Sequence, residues 1–337
     1  MRCHFLIHRS RLLIIPLMGM VLSVARADTP PVKAAIDKGL RRIEQGAASY
    51  RSKRTCFSCH HQALPLMSLT LARERGFSVR PAEIQEIVDF TLKSFARRET
   101  IAKGQGVGGA NTTVAYALAT LSAAGHRPDA TTAALVKFLT ARQRGDGAWP
   151  AQANRPPSEG SLFASAAFAL ANLRRYADDD QKQQVEETFR KGKAWLLANP
   201  AKTTEDKVFR LHALVHAGAD VKNVDVERER LLGEQRGDGS WAQLPGLAGD
   251  AYATGSAIFV LRHSGVPADH PAFRKAVKFL VSTQKEDGSW FVKTRSRPIQ
   301  TFFDNGDPGG PSQFISFTAT SWAVIALLET LEKKRVK

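Results

Sequence analysis

Three stretches of the 337-residue sequence repeat one pattern, Q-x-x-D-G-x-W: Gln143-Arg-Gly-Asp-Gly-Ala-Trp149, Gln235-Arg-Gly-Asp-Gly-Ser-Trp241 and Gln284-Lys-Glu-Asp-Gly-Ser-Trp290. Asp followed by Gly favours a tight turn, because the Asp side chain bonds to nearby backbone and Gly accepts a positive φ. The Trp that follows can pack its large ring between neighbouring helices. Each copy stands between an amphipathic stretch and a more apolar, Ala-rich one, so the repeating unit is a helix, a turn and a helix.

The spacing of the repeats predicts how many such hairpins the chain contains. Trp149 and Trp241 are 92 residues apart, which predicts a degenerate unit between them, and residues 193–197 with 208–217 supply it. Upstream, residues 84–95 with 112–124 and 34–44 with 64–75 form two more helix pairs. The sequence therefore predicts six hairpins in one all-α domain over residues 28–337. Single repeats cannot bury their apolar faces alone, and six can close into a ring.

The first 27 residues have the pattern of a secretory signal peptide. Three arginines precede an apolar run over residues 12–24, and Ala25-Arg26-Ala27 supplies a small-x-small cleavage site. An uncleaved N-terminal anchor is the alternative. Cleavage would leave 44 basic side chains against 32 acidic ones, a net charge of +12 instead of +16. We therefore expect an exported protein, periplasmic or extracellular, whose mature chain has no further membrane-spanning stretch and is soluble or peripherally attached.

The repeats, with Asp250-Ala-Tyr252-Ala-Thr-Gly-Ser256 and Phe317-Thr-Ala-Thr-Ser-Trp322 at the start of two helices, resemble the prenyltransferase and squalene-cyclase repeat family over residues 84–331. The resemblance implies an α/α toroid of the terpenoid-cyclase and protein-prenyltransferase type, in which inner helices line an apolar cavity and outer helices wrap them. It places the following residues at the cavity rim: Gln143, Asp146, Trp149, Gln235, Asp238, Trp241, Asp250, Tyr252, Gln284, Asp287 and Trp290.

The residues that act in enzymes of this family do not carry over cleanly. Squalene-hopene cyclases protonate their substrate from a D-x-D-D-T-A motif, and the nearest string, Ala177-Asp-Asp-Asp-Gln181, lacks Thr-Ala and has the composition of a solvated loop. Protein prenyltransferases bind zinc through Asp, Cys and His, whereas the mature chain has no cysteine besides Cys56 and Cys59. The sequence leaves open whether the protein is an enzyme.

The strongest chemical motif is Cys56-Phe-Ser-Cys59-His60, the C-x-x-C-H pattern of covalent c-type haem attachment. Two thiols add to the porphyrin vinyl groups and the adjacent imidazole becomes the proximal iron ligand. The pattern predicts one haem c, held by Cys56 and Cys59 with His60 on the iron. A redox disulfide, a zinc half-site completed by other histidines, and two idle thiols are the alternatives. Its position between the first outer and first inner helix predicts a haem beside the mouth of the ring.

The sixth iron ligand is less well specified by the sequence. Met67 is the only methionine of the mature chain, but a helical path would project it to the same side as His60, and core packing is the alternative. The other candidates are histidines: His126, His212, His216, His263 and His270. His212 and His216, four residues apart on one helix face, could form a metal pair, and lone core or surface histidines are the commoner alternative.

The last hairpin carries a long insertion between Trp290 and Phe317. Loops of this length are uncommon in compact domains and often serve as lids or binding segments. Its Lys293, Arg295 and Arg297 suit haem propionates or another anion, and a solvated basic loop is the alternative.

These observations favour an exported c-type haem protein with an electron-transfer or redox role beside an apolar-ligand cavity. Two alternatives stay open. One is an enzyme that processes a terpenoid or isoprenoid by cyclisation or haem-dependent oxidation, and the other is a non-catalytic toroid that binds a lipid or peptide. The basic charge favours an acidic redox partner or peripheral contact with anionic lipid. The basic residues lack aromatic interleaving, which argues against nucleic acid as a partner.

Overall fold

The computed structural model describes residues 29–151, 155–297 and 303–331. The predicted signal peptide, residues 298–302 of the insertion and the basic tail at 333–337 lie outside the described residues. Twelve helices of the described chain form six hairpins. The outer helices are α1 (Pro30–Lys53), α3 (Pro81–Ser94), α6 (Ala130–Ala141), α8 (Lys182–Ala198), α10 (Val221–Gly233) and α12 (Pro271–Thr283). The inner helices are α2 (Leu64–Glu74), α5 (Ala110–Ala123), α7 (Leu162–Tyr176), α9 (Thr204–His216), α11 (Ala251–His263) and α13 (Gln313–Glu329).

The remaining elements are short and lie in the connections. Helix α4 spans Arg98–Ala102, and strands β1 (Trp241–Ala242) and β2 (Gly249–Asp250) form an antiparallel pair. A π-helical turn over Cys59–Ala63 leads into α2. Single 3₁₀ turns cover Asp179–Gln181 and Gly310–Ser312.

The six inner helices close into a ring. Consecutive inner helices pack against one another in the order α2, α5, α7, α9, α11, α13, and α13 packs in turn against α2. The all-α toroid of six hairpins predicted from the repeats is therefore confirmed. Because every hairpin runs from outer to inner helix, the inner helices all begin at one end of the ring. We call that end the near mouth, and the end at which the inner helices finish the far mouth.

The composition of the helices explains which layer each one occupies. On α12 the buried residues recur every three or four positions, at Ala272, Phe273, Ala276, Val277 and Leu280, which is a single apolar face. On α13 every residue from 315 to 328 is buried, because the helix touches outer helices on one side and other inner helices elsewhere. A helix that is apolar all round is stable only inside such a ring.

The turn residues join neighbouring outer helices. Gln143 Nε2 donates to the carbonyl of Gly147 in its own turn at 3.0 Å and to that of Thr188 on α8 at 2.9 Å. Trp149 is fully buried, and its Nε1 donates to the Leu139 carbonyl on α6 at 2.9 Å. The turn therefore fixes the end of one outer helix against the side of the next.

The other two copies repeat these contacts. Gln235 reaches the Ala272 carbonyl on α12 at 2.7 Å, and Gln284 reaches the Ala35 carbonyl on α1 at 2.9 Å. The last turn thus joins the sixth outer helix to the first. Asp238 and Asp287, like Asp146, accept a backbone N–H two residues on, and Trp241 and Trp290 donate to their outer helices as Trp149 does.

Three details differ from the sequence expectations or sharpen them. Helix α1 continues to Lys53, beyond the end of the predicted outer segment at residue 44. Pro65 lies in the first turn of α2, and the Cys56–His60 motif lies between α1 and α2. The sequence predicted no further membrane-spanning stretch. Residues Gly310–Glu329 are nevertheless long and apolar enough to cross a membrane, and 89% of this segment is buried inside the fold.

The two glycines of the first turn provide a test of the bracing contact. A Cβ on Gly147, whose φ is +96°, would lie 2.2 Å from the Lys191 carbonyl of α8. Gly145 has nothing within 4 Å of its Cβ position, and Glu286 stands at the same place in the third copy. We expect Gly147→Ala to lower the free energy of unfolding by about 1–3 kcal/mol. Gly145→Ala should change it by less than about 0.5 kcal/mol. Urea denaturation followed by circular dichroism measures both, and equal effects would contradict the bracing role.

Candidate functional site

Acidic and phenolic side chains collect just inside the near mouth. We call Tyr116, Glu159, Glu205, Asp250 and Tyr252 the mouth cluster. Tyr116 comes from the middle of α5, and the other four come from the beginnings of α7, α9 and α11 or the residues just before them. The Tyr252 hydroxyl donates to Glu205 Oε1 at 2.9 Å, and Asp250 caps α11 by accepting from the Ala253 N–H at 2.9 Å. The ring therefore places three carboxyl groups and two phenols around one opening.

Glu205 differs from the other buried glutamates of the described chain. Glu83 pairs with Arg51 and Arg80 at 2.7 and 2.6 Å, and Glu227 pairs with Arg210 at 2.6 Å. Glu205 is 5% exposed, and its Oε1 accepts only from a neutral phenol. Its Oε2 is buried and has no hydrogen-bond partner among the described residues. The protein has thus buried a carboxyl group without a cation in contact.

This environment favours the protonated form of Glu205. Burial raises the pKa of Glu205 well above its usual value, the hydrogen bond from Tyr252 opposes the shift, and the charge of Asp206 adds to it. With Oε1 accepting from Tyr252, the proton of the neutral acid resides on Oε2, the atom that lacks a partner. Asp206 next to it has a structural role, because its carboxylate accepts from Ser161 Oγ and from the Thr203 N–H that begins α9.

Aromatic rings from the inner helices meet inside the ring, between the two mouths. Tyr116 contacts Phe168 with ring centroids 4.2 Å apart, and Phe168 contacts Phe209 at 5.4 Å. Trp322 contacts Phe209 at 6.3 Å and Phe259 at 5.2 Å. These five rings form what we call the aromatic belt. Faces of such rings attract cations.

Two loops meet across the near mouth. The loop of the third hairpin holds an Arg155–Glu159 ion pair, and burial raises the pKa of Glu159. Ser296, in the insertion of the sixth hairpin, donates to the Pro156 carbonyl at 3.3 Å. The third and sixth hairpins are on opposite sides of the ring, so this contact crosses the opening. The insertion therefore covers part of the near mouth, as expected of a lid.

The basic residues of the insertion are divided between the mouth and the surface. Arg295 Nε donates to Gln243 Oε1 at 2.7 Å, and Gln243 Nε2 donates to Asp250 at 2.9 Å. Lys293 and Arg297 are exposed. Arg295 therefore faces the carboxyl groups of the mouth cluster, whereas the other two fit the solvated alternative.

The C-x-x-C-H motif borders the mouth cluster. Cys56 and Cys59 are free thiols, with Cys56 exposed and Cys59 half-buried. Burial raises the pKa of Cys59, and Glu159 raises it further. Burial also raises the pKa of Tyr116, and both Glu205 and Cys59 add to that shift. Tyr116 therefore lies close to both Glu205 and the C-x-x-C-H motif.

A chain of hydrogen bonds orients His60. His61 is fully buried between the rings of Tyr50 and Phe317, and its Nε2 lies 2.7 Å from Asp307 Oδ2. Its Nδ1 lies 2.7 Å from His60 Nδ1. Ser58 Oγ also lies 2.7 Å from His60 Nδ1, and Asn305 Nδ2 lies 3.1 Å from His61 Nε2. In the arrangement in which a neutral His61 donates to Asp307, its Nδ1 accepts from the Nδ1–H of His60. That arrangement leaves the lone pair of His60 on Nε2, the nitrogen that an iron ligand of this kind uses.

The other predicted iron ligands lie elsewhere. Met67 is on α2 and packs against the core. His126 and His270 are in connections of the far mouth, His263 is the last residue of α11, and His212 and His216 are on the second half of α9. All five histidines are therefore on the wrong side of the ring for His60. Among the described residues, no three His, Cys, Asp or Glu side chains are placed to hold a metal ion.

The acidic string at 177–181 lies outside the mouth cluster. Asp179 of the 177–181 string is 92% exposed and pairs with Lys182, as the solvated-loop interpretation predicts. Residues 250–254 read D-A-Y-A-T, which keeps the first Asp and the Thr of D-x-D-D-T-A but places Tyr252 and Ala253 where the motif has its other two acids. The carboxyl group that contacts Tyr252 comes from Glu205 on the neighbouring helix. Because a Glu in the first turn of a helix is common, nothing in the sequence marked it.

Comparison with known proteins supports the resemblance to squalene cyclases that the sequence repeats indicate. Residues 175–336 match the family model of the squalene-hopene cyclase C-terminal domain. The chain is 34% identical over 98 residues to a squalene–hopene cyclase of Zymomonas mobilis, covering 29% of this chain and 14% of that protein. It is 29% identical over 198 residues to a drimenyl diphosphate synthase of Streptantibioticus cattleyicolor, covering 55% of this chain and 36% of that protein. The chain thus spans well under half the length of these relatives.

Solved structures agree with the fold. The type II terpene cyclase MstE from Scytonema superposes with a TM-score of 0.56 at 13% identity, covering 89% of this chain and 98% of that chain. A variant of the same cyclase holds geranylgeranyl dihydroxybenzoate as substrate, with a TM-score of 0.53 at 13% identity and coverage of 88% and 99%. Together the matches favour the isoprenoid alternative of the sequence analysis over the electron-transfer role.

The raised pKa of Glu205 predicts a pH dependence of stability. A folded-state pKa above the unfolded value means that the folded chain holds the proton more tightly, so stability is lost as pH rises from the unfolded pKa through the folded one. Glu205→Gln mimics the neutral acid at every pH. We expect it to stabilise the protein more at about pH 8 than at about pH 4, as measured by urea denaturation.

Glu186→Gln is the matched control for that measurement. Its exposed carboxylate binds Arg174, whose hydrogen bond lowers the pKa of Glu186, so the sign of its small pH effect should be opposite. A Glu205→Gln variant whose relative stability does not rise with pH would show that Glu205 is ionised in the folded protein.

Proposed function

We propose that the protein catalyses an acid-initiated, cyclase-like rearrangement of an apolar isoprenoid, with Glu205 as the proton donor. The observation that carries the proposal is the buried, unpartnered Oε2 of Glu205 at the near mouth. A carboxylic acid kept neutral by burial can donate to a weakly basic carbon–carbon double bond, which an exposed carboxylate cannot. The family match and the fold are consistent with this class of reaction.

The initiating step follows from the position of the proton. Glu205 Oε2–H gives its proton to one alkene carbon, the π electron pair forms the new C–H bond, and the other alkene carbon becomes a cation. The carboxylate left behind keeps the hydrogen bond from Tyr252 to Oε1. A hydrogen bond to an ionised group is worth more than one to a neutral group, so Tyr252 stabilises the product of proton transfer more than its reactant.

The aromatic belt suits the cation that results. Its rings belong to α5, α7, α9, α11 and α13, Tyr116 is shared with the mouth cluster, and each ring is at most 5% exposed. Ring faces stabilise a nearby positive charge by about 0.5–2 kcal/mol each, and buried rings also exclude water that would quench it. The near mouth therefore supplies the proton and the belt supplies the environment for the carbocation.

Deuterium labelling tests the acid. The protein is incubated in D₂O with squalene, farnesyl diphosphate or geranylgeranyl diphosphate, and products are analysed by mass spectrometry. We expect deuterium in a cyclised product of at least one of the three substrates. Glu205→Gln should lower the rate of product formation about 10²-fold or more. Tyr252→Phe should cost about tenfold, because one hydrogen bond to the carboxylate is lost.

Glu186→Gln makes the same chemical change on the outer surface and should leave the rate unaltered. Unchanged deuterium uptake in a folded Glu205→Gln protein would exclude Glu205 as the acid. The absence of any labelled product from all three substrates would contradict the cyclase-like function.

A second proposal concerns the C-x-x-C-H motif, and the orientation of His60 favours it. We propose that Cys56 and Cys59 attach one haem c with His60 Nε2 as proximal iron ligand. The donor set fits: two thiols that are not joined to each other, and an imidazole whose Nδ1 is engaged by a buried His61–Asp307 pair, as is usual for metal-bound histidines. Bound there, the haem would supply one-electron redox chemistry beside the near mouth, and an exported location would provide the setting in which such haems are attached.

The visible spectrum tests the haem. Protein made in a host with haem-attachment machinery should show a c-type α-band and retain haem in a denaturing gel, whereas Cys56→Ser with Cys59→Ser should be colourless. Carbon monoxide binding to the reduced protein reports whether the sixth position is open. A colourless wild-type protein with a Cys56–Cys59 disulfide would contradict the proposal.

A further inference from the structure

A buried histidine lies at the end of the aromatic belt that is remote from Glu205. His212 is 3% exposed and sits between the rings of Phe168 and Phe259, at centroid distances of 5.9 and 5.2 Å. Its Nδ1 is buried and has no hydrogen-bond partner among the described residues. A buried imidazole nitrogen without a hydrogen-bond partner lowers the stability of the fold. Its presence therefore points to a functional role for His212.

His212 and Glu205 lie on the same face of α9. They are seven residues apart, which is almost two full turns, so both side chains project in nearly the same direction about 10 Å apart along the axis. The contact of Glu205 with Tyr252 on α11 and that of His212 with Phe259 on α11 confirm the shared face. One helix therefore presents an acid and an imidazole to the two ends of the same interior.

Ring contacts with His216 and His263 lead from His212 to solvent at the far mouth. The His216 ring is T-shaped against His212 with centroids 4.5 Å apart, and the His263 ring lies 5.8 Å from His212. His263 is 38% exposed, and its Nε2 lies 3.3 Å from Glu329 Oε1. Exposure thus rises from His212 through half-buried His216 to His263.

We propose that His212 is the base that ends the reaction, and that His216 and His263 pass its proton to solvent at the far mouth. The inference rests on the acid-initiated function proposed above. His212 Nδ1 takes a proton from the carbon next to the final cation, the electron pair of that C–H bond becomes the new double bond, and the substrate leaves as an isomer. The proton given by Glu205 at one end is balanced by the proton taken by His212 at the other.

The electrostatics of the far mouth suit this role. Burial lowers the pKa of His212 well below its usual value, with His216 and His263 adding to the shift, so the resting imidazole is neutral and its nitrogen free to accept. Burial and the charge of His263 lower the pKa of His216 to about 4. Next to His263 lies Glu329, which bonds it, and Arg75 and Arg262 in turn contact Glu329. A C–H next to a carbocation is acidic enough to protonate even a weakened imidazole.

Product composition tests the base. With the substrate that the deuterium experiment identifies, His212→Gln should keep deuterium uptake at the initiating carbon. The final cation should instead be captured by water or lose a proton elsewhere, so the alkene-to-alcohol ratio should fall about tenfold or more. His212→Asn, with a smaller amide, should do the same. His126→Gln, the same change at a half-buried histidine in the connection between α5 and α6, should leave the ratio unaltered.

The outcomes separate this inference from the function on which it rests. No labelled product from the wild type would overturn both, whereas labelled product with an unchanged ratio in folded His212→Gln and His212→Asn would overturn the base alone. His263→Gln should slow turnover without changing the ratio, and unchanged turnover would remove His263 from the path. Thermal melts confirm that each variant is folded.

Discussion

The hydrogen bond from Gln284 to the Ala35 carbonyl is the contact on which the rest of the molecule depends. It joins the last outer helix to the first, across 249 residues of sequence. The same glutamine contact recurs at Gln143 and Gln235, so closure uses the same local chemistry as two other steps around the ring. Three of the six steps between neighbouring outer helices therefore share one turn type, and the closing step is one of them.

Closure creates sites that neither end of the chain could form alone. Asp307 reaches His61 across 246 residues, and His61 in turn contacts His60 Nδ1. The contact of Ser296 with Pro156 covers the near mouth from opposite sides. The C-x-x-C-H motif and the mouth cluster are neighbours because the turn before α2 packs against α5. Any opening of the seam between α1 and α12 would therefore disturb both candidate sites together.

The sequence was informative where the physics is local. Asp-Gly turns and apolar periodicity act within a few residues, so the hairpins, their number and the position of Cys56–His60 could be predicted. Glu205 could not, because its neutral state depends on Tyr252, 47 residues away on another helix, and on burial that only the closed ring provides. Asp307 stood in a Gly-rich run that resembles an ordinary turn. The sequence analysis expected the turn residues at the cavity rim. The contacts of their Gln and Trp side chains could be seen only in the structure, where these side chains brace outer helices.

The direction of the inner helices explains why an acid and a base occupy opposite ends. All six begin at the near mouth, so their unpaired N–H groups make that end electropositive and their carbonyl ends make the far mouth electronegative. Burial keeps the proton on Glu205 at rest, and the first turn of α9 then stabilises the carboxylate formed when that proton leaves. At the last turn of α9 the same dipole stabilises an imidazolium at His216. Each helix end contributes about 0.3–1 kcal/mol, and more where it is partly buried. Moving a positive charge from the near to the far mouth therefore follows the field of the parallel inner helices, and a ring with alternating inner helices would lack this bias.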